Sequence, residues 1–280
     1  MQSFRGLLRL WQVYGYLDVL FMVRDARRFF IFLISDTILG LALMTGTFLL
    51  AERFDGIGPW TKYQVAFMLG YGQLVVGLLG GLFFSYNITH ISRRIGRGQL
   101  DHSLIQPHSL LTTFVTEGFT PLSGIGLVLP ALLLLVWAAR SLELDVSPAW
   151  LALLALQLLA SGAIAMSFHF IWGTLAFWAP RGAEEVTSET HHLLDQLRPF
   201  PLDGVGFAGQ AALLSFLPVG FLAWYPCRAL LGIDPSPFGP VLTPLAAVIA
   251  LALAAGFFRV GLRHYARTGS TRYSDFGHRR

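Results

Sequence analysis

The chain has 280 residues, of which 54% are hydrophobic and only 13% charged, with a mean hydropathy of +0.59. A soluble domain carries about a quarter charged residues, and a core of this size has no room for apolar blocks this long, so an ordinary soluble enzyme, a disordered chain and a disulfide-stapled module are excluded. The net charge of +4 is almost all arginine, beside the single lysine Lys62. With one cysteine, Cys227, there is neither an intramolecular disulfide nor a thiolate metal centre.

Residues 4–28 are too polar to cross a bilayer. Leu7, Leu10, Trp11, Tyr14, Leu17 and Phe21 share one side of a helical wheel, with Arg5, Arg9, Gln12 and Arg27 opposite. That pattern predicts an N-terminal amphipathic helix lying in the membrane interface. Asp18 and Asp25 fall near its apolar side, and they are read either as tolerated exceptions or as contacts for a cytoplasmic partner. With arginines and aspartates through the first 28 residues, no apolar core follows a short basic start, so a cleaved signal peptide is not expected.

Six stretches have the roughly 20 apolar residues a helix needs to cross hydrocarbon: 29–51, 64–87, 111–139, 148–178, 205–226 and 240–262. Pro121, Pro130 and Pro218 are expected to kink or break their helices. Gly77 and Gly81 have the four-residue spacing of close helix contacts, within the chain or between subunits. Sixteen basic residues fall in the N-terminus, the 88–110 and 179–204 connections and the C-terminal tail, against four in the 52–63, 140–147 and 227–239 connections. The positive-inside rule then predicts both termini in the cytoplasm. The expected fold is all-α and integral to the membrane: six transmembrane helices in a single domain over 1–280, in the cell inner (plasma) membrane. Basic charge arranged this way sets orientation, and no nucleic-acid partner is expected.

Ionisable groups inside spans are costly and therefore mark candidate sites. Asp36, Gln73, His169 and Gln210 are candidates for a substrate path, with helix–helix hydrogen bonding as the competing role. Glu117 falls at the end of a span near arginines. In the 179–204 connection, Glu184-Glu185 with Glu189, His191 and His192 has the residue types of acid–base or metal chemistry, but residues 183–197 also read as a partner-facing or surface amphipathic helix.

The 88–110 loop has a helical turn over Ile91–Ile95, breaks at Gly96 and Gly98, and an apolar stripe of Leu100, Leu104 and Ile105 ended by Pro107. From physics alone this is a basic cytoplasmic connection. Arg-Gly-Gln-Leu-Asp-His-Ser-Leu-Ile-Gln-Pro-His-Ser, residues 97–109, resembles the cytoplasmic loop of ABC-2 type permeases, the membrane subunits of ATP-binding-cassette exporters. Ala176-Phe177-Trp178, Leu217-Pro218, Tyr225-Pro226, Leu230-Leu231-Gly232 and Gly261-Leu262-Arg263-His264-Tyr265 resemble later segments of that family in order. Gln99 and Gln106 depart from it, standing where an acid and a base are common.

The resemblance implies a permease coupled to a separate cytoplasmic ATPase subunit through Arg94, Arg97, Leu100, Asp101 and Leu104, and paired with a second permease subunit, the same or paralogous. The chain carries no Gly-x-x-x-x-Gly-Lys-Ser/Thr phosphate loop, so it is expected to be no enzyme and to hold no cofactor or metal, with ATP and Mg on the partner. The alternative is a stand-alone secondary transporter or channel using Asp36 and His169. A membrane enzyme using Glu184 and Glu185 is a third class.

Overall fold

A computed structural model describes residues 4–83, 91–107, 109–233 and 236–269. The end of the predicted 64–87 span, residues 88–90 and His108 of the loop, and Arg272, Arg279 and Arg280 of the tail lie outside the described residues.

Among the described residues the molecule is all-α apart from a hairpin of two two-residue strands. Helices α1 (Phe4–Arg24) and α2 (Ala26–Arg53) meet at Asp25, whose carboxylate accepts from the Arg28 amide. The hairpin β1 (Gly56–Ile57) and β2 (Trp60–Thr61) turns the chain into α3 (Lys62–Phe83). Three short helices follow: α4 (Ile91–Gly96), α5 (Gln99–Leu104) and α6 (Leu110–Thr116). Then come α7 (Ile125–Ser141), α8 (Pro148–Thr174), α9 (Pro180–Leu197), α10 (Phe207–Ser215), α11 (Trp224–Leu230) and α12 (Gly239–Thr268). Ser147 caps α8, accepting from the Trp150 amide, with Pro148 pre-set for the first turn.

By length and composition, α2, α3, α8 with its 3-10 extension to Phe177, and α12 are able to cross a membrane. The pair Phe207–Ser215 and Pro218–Leu230, bent by 72°, makes a fifth candidate if counted as one span.

Two predicted spans are not continuous helices. The 111–139 stretch is divided: α6 stops at Thr116, residues 117–124 form turns around Gly118, Pro121 and Gly124, and α7 begins at Ile125. The 205–226 stretch breaks at Pro218, where a 3-10 turn (Pro218–Phe221) separates α10 from α11. Pro130 stays inside α7 without ending it.

Contacts fix the direction of each helix. α7 runs antiparallel to α3: a Cβ on Gly70 would meet Leu135, one on Gly77 would meet Val128, and Gly81 lies against Gly124. The small-residue stripe is therefore spent within the chain. α2 runs parallel to α7, with the Thr37 hydroxyl donating to the Gly126 carbonyl at 3.0 Å near one end and Phe48 against Trp137 near the other. α12 runs parallel to α8, from Gln157 donating to the Pro240 carbonyl at 2.7 Å down to Phe170 against Phe258.

Because α8 and α12 point the same way, the chain between them must return. It does so through 180–203, not through 205–226. At one end Trp178 stacks on His264 of α12 and Glu184 pairs with Arg93. Midway His191 meets His169 of α8. At the far end Asp203 accepts from the Trp60 indole at the start of α3. The 179–204 connection, expected to be cytoplasmic with a surface or partner-facing helix over 183–197, is mostly helix, as α9, and packs along the bundle. The apolar 205–226 segment folds back at the far end.

Candidate functional site

The loop between α3 and α7 has two faces. Ile91, Ile95 and Leu100 are fully buried and form a small core with Phe177, Ala183 and Tyr265, built from the ends of α8, α9 and α12. Gly98, at φ 68°, makes the left-handed turn that folds α5 back on α4. Two polar ties hold it: Arg94 pairs with Glu117 at 2.5 Å, lying 5.5 Å from the Phe114 ring, and the Tyr265 hydroxyl donates to Asp101 at 2.5 Å. Arg97, Leu104 and Ile105 face outward, Leu104 at 48% and Ile105 at 81% exposure.

The five residues nominated for coupling therefore divide. Arg94, Leu100 and Asp101 fasten the loop to the bundle, and Arg97 and Leu104 are presented. Helix α1 leans on this region. Burial pushes the Tyr14 phenol above its usual range, with Glu117 adding to the rise and Arg94 offsetting part of it.

Asp18 is no partner contact. It is 4% exposed and accepts from the Leu122 amide at 2.7 Å, the Ser123 amide at 3.2 Å and the Ser123 hydroxyl at 2.6 Å, satisfying the turn ahead of α7. The wheel showed it on the apolar side because that side faces the bundle.

The nominated path residues line three successive cavities. Asp36 lines a cavity of about 600 Å³ between α1, α2 and the turn before α7. His169 lines a second of about 160 Å³ between α3, α8 and α9, and the two share Gly80 and Leu127 as walls. Gln73 lines a third, smaller cavity that shares Arg198 with the second. Gln210 stands apart, donating to the Leu202 carbonyl at 3.0 Å.

The sequence reading missed Arg198 and Asp195, which line the second cavity, with Arg198 also lining the third. Arg198 is 5% exposed; it donates to the Gln73 side chain at 3.3 Å and pairs with Asp195 at 3.2 Å. Asp195 lies 3.4 Å from His191, and His191 lies 3.4 Å from His169. A polar chain from α3 through α9 to α8 thus crosses the bundle interior. Asp203, also missed, accepts from the indoles of Trp60 at 2.5 Å and Trp224 at 2.7 Å and from Arg228. The amphipathic period of 183–197 was the available signal, but acids and histidines lowered its hydropathy below that of any span.

The acid–base reading of 184–192 does not converge. Glu184 turns to Arg93 and His191 to His169, whereas Glu185, Glu189 and His192 project outward. Among the described residues no three of His, Cys, Asp and Glu gather as metal ligands.

A family model described as ABC-2 family transporter protein matches residues 37–269, more than half of the chain and everything from α3 through α12. No curated protein and no solved structure matches. Several membrane-length apolar helices, a loop anchored on one face and presented on the other, and a match over most of its length lead to one assignment: this multi-pass membrane protein belongs to the ABC-2 transporter family.

Proposed function

We propose that the chain is the permease half of an ATP-driven exporter in the cell inner (plasma) membrane, paired with a second permease subunit, the same or paralogous, and driven by separate cytoplasmic ATPase subunits. The ATPase docks on the α4–α5 loop. The observation that carries this reading is the loop's division of labour: a fully buried Leu100 and the Asp101–Tyr265 bond transmit force to α12, while Arg97, Leu104 and Ile105 meet the partner.

Six crossings are proposed: α2, α3, α7, α8, α9 and α12, with both termini cytoplasmic. The polar α9 replaces the apolar 205–226 segment as the fifth. Its outward face carries Glu185, Ser188, Glu189, His192 and Gln196. A charge at the bilayer centre costs about 2.5–3.5 kcal/mol by insertion scales, so this face is turned from lipid toward a water-filled path at the contact with the second permease. The stand-alone transporter is disfavoured because Asp36 and His169 line different cavities and His169 is engaged with His191.

The test is purification from the native cell in a gentle detergent. A stoichiometric ATPase subunit is expected, together with ATP-dependent export in vesicles. The chain recovered alone across several detergents, with transport driven by a proton gradient, overturns the proposal.

A further inference from the structure

The cavity of about 600 Å³ on the flank of α2 has a chemistry of its own. Its wall is aromatic, with Tyr14, Phe21, Phe29, Phe32 and Phe119 around the carboxylate of Asp36. Among the described residues no arginine, lysine or histidine lines it. The second carboxylate there, Asp18, is occupied by three donors of the α7 turn. Asp36 has no ion-pair partner among the described residues. A volume of about 600 Å³ falls in the range of drug-sized ligand sites, roughly 300–1,000 Å³.

We propose that this cavity binds a cationic amphipathic small molecule taken from the membrane, with Asp36 as its counter-charge and the rings of Tyr14, Phe21, Phe29, Phe32 and Phe119 as its walls. An unpaired carboxylate in a span needs a positive partner, and aromatic faces attract desolvated cations. A phospholipid amine does not meet the need. Asp36 lies ten residues into α2, about 15 Å along the helix. A lipid ammonium sits on the water side of its own phosphate, so it reaches this depth only by burying that phosphate beside a carboxylate. A compact cation with an apolar body carries no such group.

As a binding site the cavity is independent of the permease reading; as a place where cargo enters, it rests on that reading. Leu127 and Gly80 form the wall it shares with the cavity lined by His169, His191, Asp195 and Arg198.

The experiment is equilibrium binding to the full chain in phosphatidylcholine nanodiscs. The probes are tetraphenylphosphonium and tetraphenylborate, which share size and shape and differ in charge. Saturable one-to-one binding of the phosphonium alone is expected. Asp36→Asn should weaken it about tenfold, or about 1.4 kcal/mol, and Asp36→Glu should retain it. Gly80→Leu, at a position where an added Cβ meets nothing within 4 Å, should block binding by filling the cavity without touching the carboxylate. Equal binding of both ions, or unchanged phosphonium affinity in Asp36→Asn or Gly80→Leu, overturns the proposal. Binding that follows these expectations without ATP-driven movement of the phosphonium in the assembled complex leaves the site standing and counts against the exporter reading.

Discussion

Arg198 donates to the side-chain oxygen of Gln73 at 3.3 Å, which sets the end of α9 beside the middle of α3. A Cβ on Gly72 would lie 3.2 Å and 3.3 Å from the Arg198 methylenes, so a side chain at this level would press on the arginine. One contact thereby moves a basic residue, counted among the cytoplasmic arginines, into the bundle interior, and it carries the 199–206 turn to the opposite end.

That relocation predicts accessibility. In a Cys227→Ala background, Val205→Cys should react with a membrane-impermeant maleimide from outside intact cells, and Thr268→Cys should react only after the membrane is opened. Val205 is 37% exposed beside Asp203, and Thr268 ends α12 at the opposite end. Cys227 is fully buried, so its removal clears background without opening a reactive site elsewhere. Labelling of both from the same side would return 179–204 to the cytoplasm.

The long lipid-facing helices were legible because the bilayer demands apolar runs about 20 residues long. α2 and α12 are exposed along most of their length in the protein alone, so their composition reports their surroundings directly. α9 was legible as an amphipathic helix, but its place along the bundle was not, for the complementary reason. Thr187 and Leu194 pack inward while Glu185, Glu189 and His192 do not touch the core, and hydropathy averages the two faces into a polar segment. The 205–226 stretch shows the converse error. It is apolar enough to span, but Pro218 removes a backbone donor and Leu217 leaves the helical conformation, so the run folds back. Trp60 and Trp224 are 1% and 5% exposed, with both indoles donating to Asp203.

The loop's two faces predict two classes of variant. Leu100→Ala removes a fully buried side chain and should lower stability by about 2–5 kcal/mol, seen as a fall in the melting temperature of the purified chain. Leu104→Glu and Ile105→Glu, at exposed positions, should leave melting unchanged and abolish recovery of the ATPase subunit. Retained ATPase in both glutamate variants would remove the presented face from the docking surface.

The Asp101–Tyr265 bond predicts non-additivity. Asp101→Ala and Tyr265→Phe should each cost about 1.5–3 kcal/mol, the range for a hydrogen bond to a charged group, and each should uncouple ATP hydrolysis from transport. The double variant should cost little more than either alone, because both remove the same bond. Full additivity in melting or in coupling would mean that the two side chains act separately. Asp101→Lys is the harsher form: it inverts the charge beside Tyr265 and should abolish coupled transport while the chain still inserts.

Asp203 offers the strictest test of how the far end is held. Its carboxylate gathers Trp60 from the start of α3, and Trp224 and Arg228 from α11, so one side chain ties the folded-back segment to the bundle. Arg228 also lies 5.1 Å from the Trp224 ring. Asp203→Asn keeps an acceptor oxygen where both indoles donate but sets an amide NH2 against Arg228 and leaves that charge in a half-buried site without its counter-charge. The expected loss is about 2–4 kcal/mol, since removing one partner of such a pair strands the other. Arg228→Met should cost less, because the carboxylate it leaves keeps both indole donors and the Met side chain still covers Trp224. Tryptophan emission should shift to the red in Asp203→Asn and stay near the parent in Arg228→Met. Equal destabilisation by the two would show that the ion pair, rather than the carboxylate's grip on the two indoles, holds this end together.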